Sequence, residues 1–215
     1  VNALLNNKFV MLGLGIDISN TTLSSNNLGQ RDRKMLHVFA EQQMKFFDSK
    51  LDLTPGIAIT YFSDLANSTD PNSTETSDSW TNVPHIYPGI DFGYNFNEKF
   101  KLYSNIGYTF RIPTYTDQFY TSPTTVGNEF LVYEKALTSE LGIKYKKENF
   151  NLTFSAYNRA ASDVIDYVKN EESEPWRANN IREITTLGFE FNMGYKFYLS
   201  SFNTHQINIG FSNIN

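Results

Sequence analysis

The stretch Phe100-Lys101-Leu102-Tyr103-Ser104-Asn105-Ile106-Gly107-Tyr108-Thr109-Phe110-Arg111 changes character at every residue. Phe100, Leu102, Ile106, Tyr108 and Phe110 share one parity; Lys101, Tyr103, Asn105, Thr109 and Arg111 share the other. A repeat of two is the signature of an extended strand, because successive side chains point to opposite faces. One face is greasy and aromatic, and the other is polar and charged.

The same alternation runs outward in both directions. Upstream, Ile86, Ile90, Phe92, Tyr94 and Phe96 oppose His85, Tyr87, Asp91, Gly93 and Asn95. Before them, Leu51, Leu53, Ile57, Ile59 and Tyr61 oppose Asp52, Thr54, Gly56, Ala58 and Thr60, and Val10, Leu12, Leu14, Ile16 and Ile18 oppose Gly13, Gly15 and Asp17. Downstream, Leu137, Leu141, Ile143 and Tyr145 oppose Thr138, Glu140 and Lys144, and Phe150, Leu152, Phe154 and Ala156 oppose Asn151, Thr153, Ser155 and Tyr157. Leu187, Phe189, Phe191, Met193 and Tyr195 oppose Thr186, Glu190, Asn192 and Lys196, and Ile207, Ile209 and Phe211 begin a last segment. The segment 36–47 alternates less cleanly, and a bulge near Met44 is the simplest reading. The count is about nine strands.

The connections alternate too. Short turns are expected at 48–50, 97–99, 146–149 and within 198–205, and long polar loops at 20–33, 63–83, 112–133 and 160–180. Outer-membrane barrels have this asymmetry, with short periplasmic turns, long extracellular loops and strands of roughly 9–11 residues crossing the hydrocarbon.

Composition narrows the class. Among 215 residues there are 13 Tyr and 18 Phe but only 19% charged residues, and the mean hydropathy is −0.41. Aromatic wealth beside a polar average suits alternating strands. No window approaches the about 18 consecutive apolar residues that a membrane helix needs, and no N-terminal signal peptide is visible. A net charge of −5 argues against a nucleic-acid partner, which requires clustered Lys and Arg. With no cysteine, disulfides and thiolate metal sites are excluded.

A soluble sandwich or lipocalin also alternates, and in it the charged parity would simply face solvent. The aromatic residues tip the balance. Tyr61, Tyr94, Phe96, Phe100, Phe110, Tyr145, Phe150 and Tyr195 sit on the apolar parity near strand ends, where interfacial girdles lie in a membrane barrel.

Two blocks carry a family resemblance. The first runs Tyr108-Thr109-Phe110-Arg111-Ile112-Pro113-Thr114-Tyr115-Thr116-Asp117-Gln118-Phe119-Tyr120, then Ser122-Pro123-Thr124, Gly127-Asn128, Glu134-Lys135-Ala136-Leu137 and Glu140-Leu141-Gly142. The second is Asp163-Val164-Ile165-Asp166-Tyr167-Val168 with Trp176-Arg177-Ala178-Asn179-Asn180 and then Thr186, Gly188 and Glu190. Together they resemble TonB-dependent receptors, most of all the cobalamin-receptor branch. Asn128-Glu129 and Tyr133-Glu134 stand where the family has Asn-Pro and Pro-Glu.

The resemblance implies an all-β, antiparallel up-and-down transmembrane β-barrel, of which residues 1–215 form part; the whole barrel is expected to have about 22 strands. The plug domain and the TonB-binding segment are not in this chain. The implied function is TonB-coupled uptake of a nutrient such as cobalamin or a ferric siderophore. The implied partners are outer-membrane lipid, the TonB complex through the plug segment, and the small-molecule ligand. A passive porin or structural barrel is the alternative.

Candidate ligand contacts on the long loops are Trp80, Arg111, Tyr115, Asp117, Tyr120 and Trp176. Phe119 belongs to the same aromatic and acidic cluster, Trp176 reads first as a fold determinant, and Arg111 with Glu134 reads first as an ion pair anchoring the loop. Asp64, Asp70, Glu75 and Asp78 share a loop without EF-hand spacing and read as solvated charge. His37, His85 and His205 form no metal motif. No nucleophile set or phosphate loop stands out, so neither enzymatic chemistry nor a cofactor is expected.

Overall fold

The structure, a computed structural model, describes residues 2–6, 10–67, 76–77, 84–181, 183–200 and 203–215. The strands, in chain order, are β1 (Asn2–Asn6), β2 (Val10–Ser25), β3 (Gly29–Phe46), β4 (Leu51–Asn67), β5 (Thr76–Ser77), β6 (His85–Asn95), β7 (Phe100–Arg111), β8 (Thr125–Val126), β9 (Glu134–Lys147), β10 (Phe150–Ser162), β11 (Ile165–Val168), β12 (Trp176–Asn180), β13 (Glu183–Ser200) and β14 (Asn203–Ile214). Among the described residues one short helix, α1 (Tyr115–Phe119), lies between β7 and β8. The nine expected strands are β2, β3, β4, β6, β7, β9, β10, β13 and β14, and the sheet adds β1, which the sequence reading missed.

One sheet holds β1-β2-β3-β4-β6-β7-β9-β10-β13-β14 in that order, with β5 beside β4. Every neighbour is antiparallel and next along the meander, the topology of an up-and-down barrel wall. The wall is a barrel segment that does not close on itself.

The decisive question is which way the apolar parity points. Ile16, Ile57, Ile86, Ile106, Leu141, Leu187 and Phe211 are between 44% and 57% exposed. Among the described residues no large side chain is fully buried, and the buried apolar residues are Phe62, Leu131, Ala136, Ala161 and Ala178. No packed interior takes up the Leu/Ile/Phe rows, which is the arrangement of a wall solvated by lipid. Near the short turns the aromatic residues make contact in series, with Tyr94 to Phe96 at 4.9 Å, Phe96 to Phe100 at 5.5 Å and Tyr145 to Phe150 at 6.0 Å. Phe150 also stands opposite Tyr195. This is one interfacial girdle.

The opposite face is bonded internally. Lys101 Nζ lies 3.3 Å from Asp52, and the Tyr103 hydroxyl and the Asn105 amide each donate to Glu140 at 3.2 Å. Tyr103 faces Gly142 across β7 and β9, and Tyr157 faces Gly188 across β10 and β13. A Cβ on either glycine would come within 2.4 Å of the ring. The missing side chain lets each tyrosine lie against the wall instead of projecting into the lumen.

Three expectations need correction. The connection 20–33 is not a loop: β2 and β3 stay paired to Ser25 opposite Gly29, closed by a turn at 26–28 with Gly29 at φ 73°. Polar residues on both faces read as loop, yet they form a ladder equally well once the strands have left the lipid. No bulge falls near Met44, because the register is the same at Glu41–Gly56 as at Met44–Leu53. The pattern looks broken because Met35 and Phe39 occupy the polar parity and Gln42 the apolar one. The register shift lies instead at Tyr198 to Ser200. Phe110 leaves the girdle: β6 and β7 stop pairing at Gly89 opposite Gly107, and beyond that point Phe110 stacks on His85 at 4.7 Å and Tyr87 at 4.5 Å.

The two faces predict opposite tolerance. In the full-length protein folded into lipid vesicles, Leu141→Arg is expected to lower the unfolding free energy by roughly 2–4 kcal/mol. Glu140→Gln, one residue away on the other face, should change it by less than about 1 kcal/mol. Denaturant titration of both variants is the check, and equal losses would mean that the apolar row does not face lipid.

Candidate functional site

The polar face meets the long connections at one end, where the described parts of 112–133 and 163–181 fold into a second, three-stranded sheet, β11-β12-β8. Its centre is α1. Thr114 caps the helix: its hydroxyl accepts from the Asp117 N–H at 3.1 Å, and the Asp117 carboxylate accepts from the Thr114 N–H at 2.9 Å, a reciprocal capping box. Gly127 packs under this turn, where a Cβ would meet Gln118 C at 2.7 Å and Asp117 O at 2.8 Å. Asn128 N–H donates to Asp117 O at 2.9 Å. The Gly127-Asn128 pair therefore closes the segment back on its own helix.

Arg111, the last residue of β7, carries two carboxylates. Its Nη2 donates to Glu134 Oε1 at 2.5 Å and its Nη1 to Asp117 Oδ2 at 3.2 Å. The same Glu134 oxygen accepts the Ile165 N–H at 2.8 Å, so one carboxylate fixes the start of β9 and the entry to β11. Glu134 is buried, and a buried carboxylate stays charged only when bonded in this way.

A second arginine secures the far side. Arg33 on β3 forms a bidentate pair with Asp64 on β4, at 2.6 Å for each bond, and its Nη1 and Nη2 both reach Pro113 O at 3.2 Å. Its guanidinium sits 4.9 Å from the Tyr115 ring, and Arg31, two residues earlier on the same face, lies 3.7 Å from the Phe119 ring. The segment 112–133 thus bridges from β7 to β3 across β4 and β6. Beneath it is a cleft of about 360 Å³ whose lining includes Phe62, Asp64, Pro113, Phe119, Glu129 and Tyr133.

Titration follows the packing. Burial, with the nearby Asp64 charge, pushes the Tyr115 phenol up to about 12. Its hydroxyl is buried and makes no hydrogen bond among the described residues. Burial alone would raise the Asp117 carboxyl, but the Thr114 bonds and Arg111 outweigh it and hold the group below its ordinary value. Burial, followed by the Asp117 charge, raises Tyr167.

Of the candidate contacts, Arg111, Tyr115, Asp117 and Tyr120 share this assembly, Tyr120 as the residue closing α1. Trp176 is on β12: its N–H donates to Thr124 O at 2.9 Å, while the residue is 45% exposed with its ring beside Lys169. The backbone of Trp176, not its ring, does the joining. Trp80 lies outside the described residues, as do Asp70, Glu75 and Asp78. Among the described residues no three His, Asp or Glu side chains are grouped to hold a metal.

Arg31, Arg33 and Asn180 were missed. Asn180 donates to Val132 O at 2.9 Å and Asp163 O at 2.6 Å, and accepts from the Val132 N–H at 3.0 Å. The signal for the arginines was their spacing of two, which puts both on one face of any strand. Reading 20–33 as a loop concealed it.

Lumen-facing polar groups below a rim of aromatic and charged loops define a receptor-type barrel. The family model described as "TonB dependent receptor-like, beta-barrel" matches residues 5–213. The chain belongs to the TonB-dependent receptor family, β-barrel proteins of the bacterial outer membrane. Similar solved structures include the siderophore receptor PirA from Pseudomonas aeruginosa, at TM-score 0.75 and 17% identity over 99% of this chain and 38% of that one. The copper transporter OprC follows at TM-score 0.73 and 15% identity, over 99% of this chain and 36% of that one. The ferric enterobactin receptor PfeA from Pseudomonas aeruginosa, a mutant in complex with enterobactin, is similar at TM-score 0.72 and 14% identity, over 99% and 34%. The chain spans little more than a third of the length of these structures. No curated protein matches the sequence.

Because Asp117 is held below its ordinary value of 3.8, its anchoring contribution is complete above that pH and fades as pH falls through the lower folded-state value. Backbone amide protection over 114–120 in the full-length receptor should decline only in that acid range. Asp117→Asn should reduce it about tenfold already at neutral pH, the loss of one cap and one charge-assisted bond. Unchanged protection in the variant would show that the carboxylate anchors nothing.

Proposed function

We propose that the whole receptor takes up a scarce metal-bearing nutrient, such as a ferric siderophore or cobalamin, in a TonB-coupled step. Further strands complete the barrel, and a plug closes its lumen. The observation that carries this reading is the folded rim: an aromatic and charged surface of Arg111, Tyr115, Asp117 and Tyr120 held over the polar face of the wall. A structural barrel has no need of such a surface, and a passive pore is served by an open mouth.

The substrate class draws support from the similar structures, which include a siderophore receptor, a copper transporter and a hemophore receptor bound to its hemophore and heme. Their common element is a metal-bearing cargo. The cobalamin reading rests on the resemblance of the two sequence blocks, from Tyr108 to Gly142 and from Asp163 to Glu190. The proposed contacts are Arg111, Tyr115, Asp117, Tyr120, Trp176 and Trp80. The barrel's part is capture and sealing, without covalent chemistry.

Isothermal titration of the purified full-length receptor with ferric enterobactin, a ferric hydroxamate and cyanocobalamin tests this. One of the three is expected to bind at micromolar concentration or below, and Tyr115→Ala to weaken it by about fivefold or more. If none binds while the protein conducts ions freely in planar bilayers, the uptake reading fails in favour of a pore.

A further inference from the structure

We infer that Arg33, a wall residue outside both long loops, is the positioning residue that holds 112–133 and the described part of 163–182 as one rigid cap over the barrel mouth. Two sets of contacts lead there. The first joins the loops to each other. β8 pairs in parallel with β12, Trp176 N–H donates to Thr124 O at 2.9 Å, Asn180 bonds both Val132 and Asp163, and the Tyr167 hydroxyl reaches Thr116 O at 3.5 Å. A parallel pair between segments from different hairpins cannot form unless both are folded together.

The second set joins this unit to the wall at two separated places. On the near side, Arg111 and Glu134 hold the chain where β7 ends and β9 begins, positions that are covalently close to the loop. On the far side no covalent link helps, and among the described residues the attachment is made by Arg33 and Arg31. Arg33 gives two donors to the single Pro113 carbonyl while its other edge is locked on Asp64, so its guanidinium cannot swing away without breaking a bidentate pair. Arg31 adds its face to Phe119. The described contacts of Arg33 are with Asp64, Pro113, Phe62 and Tyr115, so an effect of Arg33 on 163–182 is expected to travel through 112–133.

That separation makes the inference testable by proteolysis, which follows the population of the open state when reclosing is fast. In the full-length receptor, trypsin reports on 163–182 at Lys169 and Arg177, and chymotrypsin reports on 112–133 at Phe130, which is 84% exposed. Lys99 and Lys147, in the short turns at the opposite end, report on the barrel as a whole. Arg33→Gln is expected to speed cleavage at Lys169 and Arg177 by about tenfold, in step with Phe130, and to leave Lys99 and Lys147 unchanged.

Faster cleavage at Phe130 alone would show two independent loops and overturn the inference, as would no change at any site. If Arg33→Gln also exposes Lys99 and Lys147, the decision passes to Phe119→Ala. That variant removes the Arg31 stack and leaves the Arg33–Asp64 pair in place, so it should loosen both loops together and spare the short turns. Cleavage at Lys169 and Arg177 unchanged in Phe119→Ala would then reject the cap as a unit.

Discussion

Hydrocarbon offers backbone N–H and C=O groups nothing to bond with, and each unpaired one costs several kcal/mol there. An antiparallel ladder that pairs every strand with its sequence neighbour meets this demand with the shortest connections. The serial order of the wall from β1 to β14 is that solution. Once the backbone is committed to it, side chains have two destinations, lipid or lumen, and the repeat of two follows along every crossing segment. Pro55 shows the margin: it has no N–H to give, the pairing with β3 lapses between Glu41–Gly56 and Met44–Leu53 and resumes in the same register, and the pairing with β6 runs past it through Ile90.

The lumen side has the reverse difficulty, since its polar groups must not crowd the space they line. Glycines opposite Tyr103 and Tyr157 let both rings lie against the strands, and the Tyr103 hydroxyl is then spent on Glu140. At the loop end the constraint relaxes. β6 and β7 part above Gly89 and Gly107, and His85, Tyr87, Phe110 and Tyr133 fill the opening with stacked and edge-on rings. The rim above is held by arginines, each shared among acceptors, because a guanidinium has donors enough to serve a carboxylate and a second acceptor at once.

What could be read from the sequence follows this division. The nine long strands and their faces were legible because each is dictated locally by alternation. Residues that are wet on both sides, such as those flanking the turn at 26–28, lose that signal, and β1 is too short to show it. The helix, β8, β11 and β12 were illegible for a different reason. β8 exists only because Trp176 and Arg177, about fifty positions downstream, supply its partner, and no local window contains that information. Arg111 with Glu134 could be foreseen because β7 and β9 are adjacent and the parity of both residues was known. Arg33 with Pro113 could not, since it depends on how a loop crosses two intervening strands.

The same division explains why the fold is shared at 14–17% identity with receptors for dissimilar cargo. A lipid-facing position asks only for an apolar side chain and a lumen position only for a polar one, so very many sequences satisfy the wall equally well. Rim contacts are of another kind. The capping box at Thr114 and Asp117, the double load on Arg111 and the two-sided grip of Arg33 each require a particular side chain at a particular place. Contacts that demand one particular side chain are therefore concentrated where the backbone is least constrained by the membrane. A wall that accepts nearly any alternating sequence leaves the rim free to differ from one receptor to the next without endangering the fold.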